Sequence, residues 1–287
     1  MIWMDTLVQG ILLGGLYALF AAGLSLVFGI MRLVNLAHGD LIVLAAYLIL
    51  GVMGALGLHP FVAVLIAAPV MFCVGWLLQT YVLNRVLGED ILPPLLVTFG
   101  LSVVIQNGLL ETYSANSQKL TAGPIEAQSL QFGPIAVGVM PLLTLASAVA
   151  VIFALNQLFY RTALGRAFRA TSDDATTVQL MGIRPSNVFA MATGIAMVVA
   201  TIAAMYLGTR ANFDPSIGPA RLLYAFEAVI IGGLGSLWGT LAGGIVIGVA
   251  QAFGAAINPE WQILSGHIAF VLVLLLRPRG LFPRAND

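Results

Sequence analysis

From Thr6 to Met31 the chain carries no Asp, Glu, Lys or Arg. A stretch of about 20 apolar residues is enough to carry a helix through the hydrocarbon of a bilayer. The pattern recurs. Leu41 to about Gly57 is a second span, and about Pro60 to Asn84 a third, with Gly57 and Pro60 marking the turn between them. Ile91 to about Leu110, residues from about 134 to Tyr160, and Pro185 to about Leu207 follow. Leu237 to about Ile257 is adequate, and Trp261 to Leu276 just adequate. Leu222 to Leu234 is short for a crossing and reads as a short or re-entrant segment. The expectation is an all-α polytopic bundle of about eight spans plus that segment, one transmembrane domain over residues 1–287. The stretch before the first span has no signal-peptide cleavage pattern, so Thr6–Met31 reads as a retained helix.

Composition agrees. Hydrophobic residues make up 60% and charged residues 8%, against about 25% charged in ordinary globular domains. Net charge is zero, which implies no nucleic-acid partner. The single Cys73 excludes an internal disulfide and a cysteine metal cluster.

One island breaks the apolar sea. Residues 161–184 read RTALGRAFRATSDDATTVQLMGIR and hold four of the eleven arginines. The island must lie in water at a membrane face. Ser172 is placed to cap a helix, Asp173 and Asp174 suit its positive end, and Gly182 suits its stop. These signals predict a short helix over about 173–181. Ala175, Val178 and Met181 recur at three-residue spacing and would form an apolar ridge on it. A plain solvated loop with local helix is the other reading. With the island in the cytoplasm, Arg32, Arg85, Arg161, Arg166, Arg169, Arg184, Arg277, Arg279 and Arg284 all fall inside, and Lys119, Arg210 and Arg221 outside. The positive-inside bias therefore puts the N-terminus outside and the C-terminus inside, provided the short segment crosses. The polar stretch from about Glu111 to Gly133 is then external.

Glycines at four-residue spacing, Gly10 with Gly14, Gly235 with Gly239 and Gly243, and Gly244 with Gly248, suit close helix packing in lipid. The cluster Gly232-Gly233-Leu234-Gly235-Ser236 reads instead as a helix break.

Several chemistries are missing. No Gly-Lys-Ser or Gly-Lys-Thr phosphate loop appears, so no ATP site of that type is expected. His38, His59 and His267 lie in separate segments without metal-ligand spacing. No catalytic cluster stands out, no metal site is expected, and no cofactor is expected on this chain.

Five segments in order, Gly14-Gly-Leu-Tyr-Ala-Leu, Asn35-Leu-Ala-His-Gly-Asp40, Gly165-Arg-Ala-Phe-Arg-Ala through Gly182-Ile183, Ile231-Gly-Gly-Leu-Gly-Ser236 and Arg277-Pro-Arg-Gly-Leu-Phe282, resemble the branched-chain amino acid ABC importer permeases. The likeness runs nearly end to end and is closest to the LivH branch, since the chain starts directly at its first span. It implies an inner-membrane permease with a second, LivM-like permease subunit, two ATPase subunits that hydrolyse the ATP, and a periplasmic binding protein. It also implies that the island is the coupling region docking on an ATPase, with Gly165, Arg166, Arg169, Asp173, Asp174, Ala175, Val178, Met181 and Gly182 as its candidate residues. Branched-chain amino acids are the implied cargo; urea, short amides or aromatic acids are alternatives within such systems. A stand-alone channel or carrier is the rival outside them.

Polar residues in spans supply candidates for a path. Thr98, Ser102 and Gln106 fall on one face of the fourth span, either bonding across helices or lining a pore. Asn35, His38 and Asp40 follow the first span, where Asp40 charges the start of the second helix or lies near the path. Glu227 begins a long charge-free run and needs a partner, with Arg221 nearest in sequence.

Overall fold

The computed structural model describes residues 2–88, 90–133 and 135–282; Arg284 lies outside the described residues. The chain is a helical bundle. α1 (Ile2–Met31), α2 (His38–Leu56), α3 (Pro60–Tyr81), α4 (Leu92–Tyr113) and α5 (Val139–Arg161) come first. Two short helices, α6 (Ala163–Asp173) and α7 (Thr177–Leu180), fill the island, and α8 (Pro185–Arg210), α9 (Gly218–Gly232), α10 (Leu237–Ile257) and α11 (Trp261–Leu276) complete the bundle. Seven of these are long and apolar enough to cross a membrane; α11 is a shorter apolar helix. The external stretch also folds a small antiparallel hairpin, β1 (Ser129–Phe132) with β2 (Ile135–Gly138), which the hydropathy pattern does not announce.

α1 is the central post, contacting α10, α8, α5 and α9. The glycine stripe makes its antiparallel contact with α10. A Cβ on Gly14 would sit 2.5 Å from the Ile245 Cα, and one on Gly10 would sit 2.6 Å from the Val249 Cα. The small residues therefore set the distance between these two helices, as close packing in lipid requires. The helix break is also present. Gly233 and Gly235 take φ of 101° and 77°, and the Ser236 hydroxyl caps α10 by accepting from the Gly239 N–H at 3.1 Å.

Contacts between distant segments fix the depth of each helix end. At one face the Ser172 hydroxyl of α6 donates to the Gly29 carbonyl near the end of α1, at 2.8 Å. At the other, His59 Nε2 lies 3.0 Å from the Ala122 carbonyl, and Gln118 and Phe213 exchange backbone bonds. The island and the external stretch are thus on opposite sides, as the arginine distribution expects.

The start of α2 is not at a face. His38 Nε2 lies 2.9 Å from the Phe20 carbonyl. Phe20 is eleven residues before the end of α1, so α2 begins roughly 16 Å back into the membrane. Residues 32–37 return the chain to that depth. The start of α9 is buried beside it: a side chain on Gly39 would strike the Gly218 carbonyl, and one on Gly218 would strike the Asp40 carboxyl. The far end of α9 meets the C-terminal tail, where Leu281 N–H donates to Ile231 O at 2.8 Å and Phe282 N–H to Gly232 O at 3.0 Å. The short segment therefore crosses. Residues 211–217 cover the outer half, and α9 covers the inner half. Arg221 consequently sits in the first turn of α9 inside the membrane, not in an external loop as expected from sequence.

Orientation is open to direct test. In a Cys73→Ser background, Lys119→Cys should react with a membrane-impermeant maleimide in intact cells, and Asp173→Cys should react only after permeabilisation. The opposite pattern would invert the topology.

Candidate functional site

The island folds differently from its expected form. The helix start is ten residues earlier: Thr162 caps α6, its hydroxyl accepting from the Gly165 N–H at 3.0 Å. α6 ends at Asp173, where the sequence reading began its helix. Gly165 is required at the bend, because a Cβ there would strike the Leu158 and Phe159 carbonyls of α5. Ser172 is no cap; its hydroxyl is committed to Gly29. Asp174 takes that role for α7. Its carboxylate accepts from the N–H groups of Thr176 at 2.8 Å and Thr177 at 3.0 Å, and from the Thr177 hydroxyl. These bonds, the Thr177 hydroxyl first, hold the Asp174 carboxyl below the usual carboxylate range. Gly182 ends the segment as expected, with φ at 79°.

The predicted ridge does not form. Val178 is buried, Ala175 is half-buried, and the exposed apolar pair is Leu180 and Met181, 88% and 77% accessible. α7 is one turn, so residues three apart do not share a continuous helical face. Arg166 and Asp173 are exposed. Arg169 turns back on its own chain: it donates to the Phe159 carbonyl, and its guanidinium lies 5.3 Å from the Tyr160 ring centre and 5.9 Å from that of Phe159. The exposed side chains of the island thus include the apolar pair Leu180 and Met181, acidic Asp173 and basic Arg166.

The second candidate region is the mid-membrane junction of α2 and α9. Two helix N-termini meet there, each with unsatisfied N–H groups and a positive dipole end. Asp40 lies between them, 1% exposed, and neither of its carboxyl oxygens has a hydrogen-bond partner of normal geometry among the described residues. The Ser102 hydroxyl and Gln106 amide of α4 are the side chains turned toward it, and Gln106 Nε2 donates to Ser102 Oγ at 3.1 Å. Asp40, Ser102 and Gln106 thus form one polar cluster across α2 and α4, beside Gly218 at the start of α9. Pro219, Ala220 and Leu223 in the first turns of α9, and Asn107 next to Gln106, are exposed.

The other candidates do not join that cluster. The Thr98 hydroxyl bonds its own helix at the Pro94 carbonyl, 2.9 Å away. Asn35 shapes the turn into α2 by accepting from the Ala37 N–H at 3.0 Å. His38 is a buried strut to α1. Glu227 pairs with His267 of α11, Nδ1 to Oε1 at 2.5 Å, rather than with Arg221. Tyr224 stacks on the same imidazole, and the Tyr17 hydroxyl beside it donates to Gln251 at 2.6 Å. The expected partner was six residues off on the same helix; the actual one is forty residues away. His267→Leu should destabilise the protein by about 3–5 kcal/mol, because it leaves a buried carboxylate unpaired. Thermal unfolding in detergent checks this, and adding Glu227→Leu should restore much of the loss.

Residues 6–276 match the family model described as the branched-chain amino acid transport system permease component. Among curated proteins, the chain is 29% identical to the high-affinity branched-chain amino acid transport permease BraD of Pseudomonas aeruginosa, over 98% of this chain and 96% of that one. It is 27% identical to LivH of Escherichia coli, with the same two coverages. It is 24% identical to LivM of Escherichia coli, over 93% of this chain and 68% of that one.

Proposed function

We infer, from the premise that this chain belongs to the branched-chain amino acid transport permease family, that it is the membrane-spanning permease subunit of an ATP-driven importer of branched-chain amino acids. The observation that carries this is a family match running almost from end to end, with BraD- and LivH-type relatives matched over 96% of their own length. The remaining assignments follow from it. Separate ATPase subunits hydrolyse the ATP, a LivM-like permease completes the membrane unit, and a periplasmic protein delivers the cargo to the outer face of the inner membrane.

Leu180 and Met181 enter a groove on the ATPase, with Arg166 and Asp173 at its rim. An amphipathic segment in an apolar groove is a recurrent docking mode. Cargo passes beside the α2–α9 junction, where Asp40, Ser102 and Gln106 present polar groups at half depth. A broken helix inside a bilayer is tolerated where it lies against protein or a water-filled cavity. Discontinuous helices with N-termini at the midplane are a familiar way to build a transport site.

The test is uptake by liposomes holding the chain with its companion permease and ATPase subunits. Radiolabelled leucine should accumulate only with ATP inside and binding protein outside. Accumulation without ATP would make the chain a channel or carrier. ATP-dependent uptake of urea or an amide, with none of leucine, would reassign the cargo.

A further inference from the structure

Two arginines of the bundle have no anion to neutralise them. Arg210 closes α8 and Arg221 opens α9, and residues 211–217 join the two helices. Both arginines are half-buried. The Nη1 of Arg210 and the Nε of Arg221 are buried, and neither has a hydrogen-bond partner among the described residues. Both guanidinium groups lie within electrostatic reach of the Tyr17 hydroxyl of α1, so the two charges converge on one place. Tyr17 is three residues nearer the outer end of α1 than Phe20, which His38 meets at the start of α2.

The groups around them supply no negative charge. Tyr17 is a neutral phenol, and its proton is committed to Gln251 at 2.6 Å. Tyr224, with its ring centre 4.9 Å from that of Tyr17, is another. Glu227 pairs with His267, and Asp214 accepts from the Ser216 N–H at 2.9 Å. The ion pairs among the described residues are Lys119 with Glu126 and His267 with Glu227, so of the three cations toward the outer side only Lys119 has a carboxylate. A charge inside a bundle is costly without a partner, and such residues mark substrate paths.

The charge next to the pair narrows the ligand. Asp40 lies against Gly218, three residues before Arg221, and its carboxyl oxygens have no hydrogen-bond partner of normal geometry among the described residues. The first turn of α9 is thus bordered by an unpartnered acid and by two unpartnered bases. An α-amino acid carries both complementary charges. An acidic side chain or an inorganic phosphate carries only the negative one. The planar fork of a guanidinium suits a carboxylate.

We propose that Arg210 and Arg221 bind the α-carboxylate of the amino-acid cargo on its way from the outer face to the α2–α9 junction. This rests on the reading of the chain as an amino-acid importer.

The test is equilibrium binding of tritiated L-leucine to the complete transporter in nanodiscs, with the periplasmic protein left out so that only the membrane site is read. The wild type should bind leucine. Unlabelled leucine should displace it at least about tenfold better than L-leucinamide, which keeps the ammonium and lacks the carboxylate. Arg210→Gln and Arg221→Gln should each weaken leucine binding about tenfold, in line with loss of a hydrogen bond to a charged group. The companion permease and the ATPase should still co-purify with both variants. Arg221→Lys keeps the charge and should bind leucine more tightly than Arg221→Gln. Equal displacement by leucinamide, or unchanged binding in either Gln variant, overturns the proposal. So does a wild-type transporter that imports leucine but binds none here. Loss of the companion permease from the Gln variants overturns it too, because the arginines would then pair with an acid of that subunit. Failure of the cargo reading is seen separately, as absence of leucine uptake by wild-type liposomes.

Discussion

Replacing Leu180 and Met181 together with glutamate is expected to weaken ATPase-subunit binding by at least about 30-fold, with the membrane bundle intact. Both side chains are exposed, 88% and 77%. Burying a Leu or Met side chain at an interface is worth about 1.5–3 kcal/mol each, and two charges in an apolar groove add a desolvation cost. A loss of about 2 kcal/mol already corresponds to roughly 30-fold in affinity. The surrounding structure should not respond, because neither side chain supports the core. Val178 does, and Val178→Glu is expected to disturb the island itself. Co-purification of the ATPase with each variant separates the two effects. Normal ATPase recovery with the Leu180/Met181 double variant would remove α7 from the docking surface.

The second large effect concerns the central post. Gly248→Leu should reduce the amount of folded protein in the membrane about tenfold. A Cβ at Gly248 would fall on the Gly10 carbonyl and the Gly14 N–H. Backbone atoms cannot rotate away as a side-chain tip can. Overpacking typically costs about 1–3 kcal/mol, and here it must separate α1 from α10 along their length. Gly54→Leu is the control, since nothing lies within 4 Å of a Cβ there. Quantitative recovery of monodisperse protein distinguishes the pair; equal recovery would mean that the glycine stripe does not set the helix separation.

The bundle was legible in the sequence because hydrocarbon imposes length and apolarity on every crossing helix. The charge-free run Thr6–Met31 and the glycine spacing carried over into α1 and its contact with α10. The depth of the helix starts was not legible. Residues 211–217, Ala-Asn-Phe-Asp-Pro-Ser-Ile, have the composition of a solvent loop, and hydropathy does not distinguish a loop in water from one sheltered by protein. The same holds for Asn35 to Asp40, which looked like a membrane-face turn and lie at half depth. The island was recognised as special and its stop at Gly182 holds, but its helix start was misplaced. Ser172, Asp173 and Asp174 are all competent N-caps, and only the tertiary bond from Ser172 to Gly29 selects Asp174. Glu227 was correctly expected to need a partner, yet proximity along the chain pointed to Arg221. The partner is brought in by α11 packing against α9, which no local pattern records. The cluster of Asp40, Ser102 and Gln106 joined two candidate groups that the sequence kept separate.

The most direct measurement of the coupling account is a cross-link from the tip of α7. With Cys73→Ser and Leu180→Cys, the complete transporter should give a permease–ATPase adduct on treatment with a short bifunctional maleimide, once cysteines are placed along the ATPase groove. ATP should change its yield, because the docked surfaces move during the cycle. A transporter that imports leucine at the wild-type rate, and yet gives no adduct from position 180 with any groove cysteine, would contradict the account.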